Sequence, residues 1–191
     1  MNDVRPQAVV IGASAGALEA LTIILPALPA DFPVPIMLVV HIPGDKRSVL
    51  AELFQAKCRI RVVEGEDKEP LAGGTAYVAP PNYHLLVEAH KTLSLSSDEP
   101  VMFSRPSIDV LFESAADAFG SALVGIVLTG ANHDGARGLR AICDAGGRAV
   151  VQDPATAFAA AMPEGAIARC PDARVLPLDA IAAYLQKVVC A

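Results

Sequence analysis

Strand-like apolar runs and helix-like segments alternate along most of this 191-residue chain, and that alternation is the tightest constraint on its fold. Ala8 to Ile11 is the first run; it breaks at Gly12 into an apolar helical pattern that reaches about Leu28, where Pro26 and Pro29 end it. PIMLVV, Pro35 to Val40, reads as a second buried strand. The turn-like Ile42–Asp45 follows, then a short helix from Ser48 to Gln55 with Ser48 as its N-cap. Arg59–Val63 is predicted as a third strand. In the second half a helix over Ser107–Phe119 precedes ALVGIVLTG, Ala122 to Gly130, and a helix over Asp134–Ala145. Strand RAVVQ, a helix over Pro163–Arg169, strand RVLPL and a terminal helix through Val189 complete the chain. The pattern predicts an α/β fold: a doubly wound, mostly parallel sheet with helices on both faces, in a single domain spanning 1–191. The chain is 53% hydrophobic but only 5% aromatic. Its core is therefore built from Ala, Val, Ile and Leu, which suits strands buried on both faces.

The middle of the chain differs. TAYVA, HLLVE and TLSLS are short strand-like segments separated only by PPNY and AHK. Such spacing leaves no room for crossover helices, so antiparallel hairpins inserted in or added to the main sheet are predicted.

A formal net charge of −6 argues against nucleic-acid binding, which needs clustered Lys and Arg. The opening MNDVRPQ is no secretory signal, and no apolar run is long enough to span a bilayer, so a cytoplasmic protein without membrane insertion is expected. Cys58, Cys143, Cys170 and Cys190 lack any C-x-x-C spacing; metal ligation and disulfides are not expected.

VVIGASAGALEAL, Val9 to Leu21, admits two chemistries. A dinucleotide loop would need glycine where Ser14 and Ala17 stand, and an acid after the second strand, where His41 stands instead. Gly12-Ala13-Ser14-Ala15-Gly16 does fit G-x-S-x-G, whose small residues allow a sharp turn that exposes the serine hydroxyl. The bland reading of that turn is a serine that merely caps a helix. A serine nucleophile needs a base, and the base needs an orienting acid. His41 directly follows a buried strand at the carboxyl edge shared with Ser14. His84 and His90 read as surface or edge residues of the hairpins, while His133, after a core strand, stays a competitor. Asp134 in TGANHDG is the candidate acid; Asp153 beside Pro154 suits a simple turn, and Asp109 is expected to face solvent from a helix. With the first strand central, between the second strand and the Ala122 strand, the loops of Ser14, His41 and Asp134 meet where the winding reverses.

The motifs IGASAG, VVHIP, AYVAPPNYHL, SRPSIDVLFES, GIVLTGANHDGARGL and MPEGAI, taken in order, resemble the catalytic domain of the chemotaxis receptor methylesterase family, the protein-glutamate methylesterases. The resemblance covers nearly the whole chain. It implies Ser14 as nucleophile, His41 as general base and acid, Asp134 as the partner of the imidazole, and the amide of Ala131 as oxyanion donor. The amide of Ala15 is a second donor by analogy with other serine elbows. The resemblance implies hydrolysis of glutamate methyl esters on receptor helices, with glutamine deamidation by the same machinery and no cofactor. Arg105 and Pro106 fall in the family's RPS segment, as structural support or substrate contact. Arg105, Arg137 and Arg140 are read as solvated surface in preference to contacts with acidic substrate groups. This chain carries Ala15 and Ala17 where the family usually has Thr and Gly, and Ala131 and Asn132 where it usually has Met and Gly. Met1 lies close to the first strand, so either a free-standing member or an excised domain, without the family's receiver domain, is expected. A catalytically silent binding module of the same fold is the alternative from another functional class.

Overall fold

Each residue of the first strand alternates between two cores, and this places its carboxyl end at the centre of the molecule. The computed structural model describes residues 4–41 and 49–190. In chain order the strands are β1 (Ala8–Ala13), β2 (Ile36–Val40), β3 (Arg61–Glu64), β4 (Thr75–Val78), β5 (His84–Val87), β6 (Leu93–Ser96), β7 (Leu123–Val127), β8 (Arg148–Gln152) and β9 (Arg174–Leu176). The helices are α1 (Ala17–Ile24), α2 (Leu50–Gln55), α3 (Ile108–Phe119), α4 (Ala136–Asp144), α5 (Ala161–Arg169) and α6 (Leu178–Cys190).

Val9, Ile11 and Ala13 of β1 face a core shared with α1, α2 and α6, whereas Ala8 and Val10 face one shared with α3, α4, α5 and the β5–β6 hairpin. Burial on both faces explains the unbroken apolar runs of β1, β2 and β7. The main sheet runs β3-β4-β2-β1-β7-β8-β9, and every pairing in it is parallel. The order reverses at β1, which pairs with β2 on one side and β7 on the other. This is the expected doubly wound sheet with helices on both faces.

Three expectations need correction. TAYV is no hairpin strand: β4 lies inside the parallel sheet, between β3 and β2. Its connection from β3, residues 65–74, crosses without a helix because its backbone pairs with the strand-β6 region; Lys68 N–H donates to Leu93 O and Leu93 N–H to Glu69 O, both within 2.9 Å. Only β5 and β6 form an antiparallel hairpin, as a separate two-stranded sheet. Second, Cys143 and Cys170 are joined in a disulfide between the last turn of α4 and the residue capping α5. A separation of 27 residues carries no motif; packing of the two helices side by side brings the sulfurs together. Third, α2 begins at Leu50, and the expected Ile42–Asp45 turn and Ser48 cap lie outside the described residues.

Candidate active site

Ser14 and His41 leave the sheet side by side because β1 and β2 are parallel and Ala13 is in register with Val40. The His41 N–H donates to Ala13 O at 3.2 Å, and the Ser14 N–H donates to Thr129 O at 2.9 Å, beyond the end of β7. The turn that follows Ser14 is closed by Gly16, whose φ of +84° favours glycine. A Cβ on Gly16 would also lie 2.6 Å from Cβ of Phe158, so this glycine is required twice over.

His41 Nε2 lies 2.8 Å from Asp134 Oδ2, with the Asp134 side chain fully buried and the His41 side chain 13% exposed. A carboxylate can only accept, so Nε2 carries the proton in the neutral ring and Nδ1 keeps its lone pair. Among the described residues no hydrogen bond joins the Ser14 hydroxyl to the ring. Nδ1, the nitrogen not engaged by Asp134, is the one left for it.

Asp134 is held by more than the histidine. Its Oδ1 accepts from the Ser107 hydroxyl and the Asp109 N–H, both at 2.9 Å, and its Oδ2 also accepts from the Ile108 N–H at 2.7 Å. The carboxylate thus sits on the N-terminus of α3, where amide donors and the helix dipole favour negative charge. Burial alone would raise its pKa, but the bonds from His41 and from the Asp109 and Ile108 amides outweigh it and hold the group below the ordinary aspartate range.

Asp109 returns the arrangement to α4. Its Oδ1 accepts the N–H groups of Gly135 and Gly138, at 3.0 and 2.7 Å. The expectation of a solvent-facing Asp109 is therefore wrong: it is 2% exposed, because the neighbouring helix start needs an acceptor there. Burial, opposed by the Gly138 amide and assisted by the nearby Asp134 charge, pushes its pKa up.

His84 was likewise misread as an edge residue. It is buried; its Nδ1 accepts the Ser107 N–H at 3.1 Å and its Nε2 lies 3.0 Å from Glu99 O, which makes it a neutral Nε2–H ring. It braces the start of α3 against the hairpin. His90 stays on the surface, bonded to Thr92. The exposed His133 ring lies against Gly165 of α5 rather than on Asp134. Asp153 caps a short turn by accepting from Ala155 N–H, as its Pro neighbour suggested.

Thr129 is the residue that sequence reasoning did not single out at all. Besides the Ser14 bond through its carbonyl, its buried hydroxyl donates to Ala15 O at 2.8 Å and accepts from Ala159 N–H at 2.9 Å, while its N–H donates to Gln152 Oε1. The turn around Ser14 is pinned on both sides by one threonine. The signal available in advance was its place in VLTG, directly after the β7 run. Gly130 next to it leaves room for Met162 of α5, whose Cε would lie 2.5 Å from an added Cβ. Ala131 is exposed on the loop leading to Asp134, and neither its N–H nor that of Ala15 donates to a described residue.

The cations are committed locally. Arg105 Nη1 donates to Ser97 O and Asp98 O, Arg137 pairs with Glu113 at 2.6 Å, and Arg140 pairs with Asp144 at 2.7 Å.

A histidine on a buried, amide-held carboxylate beside a serine turn on a doubly wound sheet can be compared with known proteins. Residues 9–185 match the family description "CheB methylesterase". The chain belongs to the CheB methylesterase family. It is 50% identical to a putative protein-glutamate methylesterase/protein-glutamine glutaminase of Leptospira interrogans, over 92% of this chain and 91% of that one. It is 42% identical to protein-glutamate methylesterase/protein-glutamine glutaminase 3 of Geobacter metallireducens, over 95% of this chain but only 52% of that longer protein. The crystal structure of the CheB methylesterase catalytic domain of Thermotoga maritima superposes with a TM-score of 0.93 at 32% identity, covering 97% of this chain and all of that one. CheB membership accounts for the expected architecture. Among the described residues of this CheB domain, no helix is long and apolar enough to cross a membrane.

Proposed function

We propose that this chain is a protein-glutamate methylesterase, a serine hydrolase that removes methyl esters from glutamate side chains of receptor-like proteins. The observation that carries the reading is the 2.8 Å contact between His41 and the amide-held Asp134 at the rim where Ser14 emerges. In the reaction, His41 Nδ1 takes the Ser14 proton as Oγ attacks the ester carbonyl, and the imidazolium is stabilised by the Asp134 carboxylate. The ring nitrogens are used in the opposite sense to the familiar protease triad, in which the acid holds Nδ1. The amides of Ala15 and Ala131, which donate to no described residue, are the candidate oxyanion donors, each typically worth roughly 3 kcal/mol in the transition state. The imidazolium protonates the departing methoxide, giving methanol and an acyl-Ser14 enzyme. Water, deprotonated by His41, then releases the glutamate carboxylate and restores the serine. The same steps with ammonia as leaving group would deamidate glutamine, which agrees with the paired names of the similar proteins.

The substrate would be a receptor helix laid across the carboxyl edge of the sheet. Ser14→Ala is the test: methanol release from a methylated receptor, and labelling by a serine-directed phosphonate, should both disappear while the fold is kept. Turnover in that variant equal to wild type would refute Ser14 as the nucleophile.

A further inference from the structure

The face of the sheet that packs on α6 carries a cluster of cations at the end opposite the candidate active site. β8 and β9 are parallel, with Val150 opposite Arg174. Val150 belongs to the core shared with α6. Side chains alternate along a strand, so Arg148, two residues before Val150, and Arg174 both project to the α6 side. Arg174 makes that contact directly: its guanidinium carbon lies 5.2 Å from the centre of the Tyr184 ring on α6. Both arginines open their strands and so stand at the amino edge of the sheet, whereas Ser14 and His41 leave its carboxyl edge.

Between this strip and α6 lies a groove of about 760 Å³. Sites for small molecules typically enclose roughly 300–1,000 Å³. One wall is a stripe of α6 at helical spacing, formed by Ala180, Ala183, Tyr184, Lys187 and Val188. The two alanines leave the space open, and Lys187 brings a third cation to it.

Asp172 is the one acid among the residues that line the groove, and its charge also acts on Arg140, which does not line it. The chain as a whole carries a net charge of −6, and Arg137 and Arg140 are paired with Glu113 and Asp144. Arg174 and Lys187 form no ion pair among the described residues. Three cations against one acid make this groove a positive concavity on an acidic protein, and a concave wall focuses such a field. The C-terminal end of α6 would oppose an anion nearby, but there Val189 O already accepts from Arg5 Nε and Nη2, at 3.2 and 3.0 Å.

We infer that this groove binds a nucleotide, with its phosphates on Arg148, Arg174 and Lys187 and its base along the apolar wall. Charge alone would suit a bare anion. Leu176, Ala180, Ala183 and Val188 line the groove as well, and that surface suits a ligand with a flat, uncharged part. The exposed guanidinium of Arg174 is planar and can stack on a base, and its fork of donors matches phosphate oxygens. The site is distinct from the turn around Ser14, and the inference stands independently of the esterase reading.

The experiment titrates the full chain with ATP by calorimetry, without added divalent cation, and repeats the titration with adenosine and with inorganic pyrophosphate, the two parts of the ligand. ATP is expected to bind at one site per chain and more tightly than either part. Arg174→Glu and Lys187→Glu should each weaken ATP binding roughly tenfold or more, the scale of one charge-assisted hydrogen bond. Both side chains are exposed and lie on different elements, and thermal unfolding without ligand checks that each variant is folded. Absence of ATP binding to wild type overturns the inference. Unchanged affinity in both variants places the nucleotide elsewhere on the chain and overturns it too. Pyrophosphate binding as tightly as ATP reduces the groove to an anion patch, and adenosine binding as tightly removes the role of the cations; either result overturns the nucleotide assignment.

Discussion

Thr129→Val separates shape from hydrogen bonding at the serine turn. Valine has nearly the volume of threonine, so packing around this 1%-exposed side chain is kept, including the methyl group beside Gly16. What disappears is one hydroxyl, which gives a hydrogen bond to Ala15 O at 2.8 Å and receives one from Ala159 N–H at 2.9 Å. Leaving a half-buried acceptor and a half-buried donor without partners costs about half of the ~1–3 kcal/mol of a fully desolvated group in each case, so a total loss of ~1–3 kcal/mol is expected. For a domain of this size each kcal/mol lowers Tm by roughly 2–4 °C, which puts the expected fall at about 2–12 °C. Catalysis should suffer separately. With the Ala15 carbonyl released, the turn can drift, and a misplacement on the order of 1 Å of a reacting group costs about a hundredfold in rate. The assays are thermal unfolding at neutral pH and kcat for ester hydrolysis, measured well below the variant's Tm. Thr129→Ser, which keeps the hydroxyl and deletes the methyl, should retain most of kcat. If Thr129→Val keeps wild-type kcat, or if Thr129→Ser loses as much as Thr129→Val, the hydroxyl does not hold the Ser14 turn and the reasoning fails.

Asp134→Ala should reduce kcat by about 10⁴, the scale seen when a triad loses its acid, and should destabilise the chain by several kcal/mol because the buried donors Ile108 N–H, Asp109 N–H and Ser107 Oγ–H lose their acceptor. Because the folded-state pKa of Asp134 is lowered, its stabilising contribution is present above the unfolded aspartate pKa and fades as pH falls through the lower folded value. The variant's stability deficit should accordingly shrink in that acid window; a deficit independent of pH would contradict it. Asp109 has the opposite sign: its folded pKa is raised, so ionisation opposes folding as pH rises through that value. Asp109→Asn, still able to accept from Gly135 and Gly138, should match wild type in acid and gain stability towards neutral pH, as read by urea titration at several pH values. Lower stability of this variant at pH 7 would show that the charge itself is needed at the α4 terminus.

What was legible in advance was whatever depends on local pattern. Unbroken apolar runs marked β1, β2 and β7, and with β1 placed centrally the loops bearing Ser14, His41 and Asp134 had to converge, as they do. What escaped depends on which surfaces meet. Helical periodicity could put Asp109 on a face of α3 but could not reveal that the α4 N-terminus lies against it. His84 reads as an edge residue because it opens a hairpin strand, whereas its burial depends on Ser107 and Glu99, partners distant in the chain. β4 was drawn into a hairpin because parallel neighbours usually need a helical crossover, and here an extended segment paired with the β6 region serves instead. The Cys143–Cys170 bridge is equally non-local. Ser14 and His41 were singled out because each directly follows a strand; Thr129 follows a strand too, but threonine there announces no chemistry.

The interlocking of α3 and α4 through Asp134 and Asp109 bears on how such an enzyme could decay over evolutionary time. A lineage that no longer needed turnover could discard Ser14 at little cost, since its side chain holds up nothing described here. Discarding Asp134 would strip a helix of its terminal acceptor and endanger the whole domain. Inert descendants of this scaffold should therefore keep the acid and drop the alcohol, so a surviving aspartate is poor testimony to activity, while a surviving serine is good.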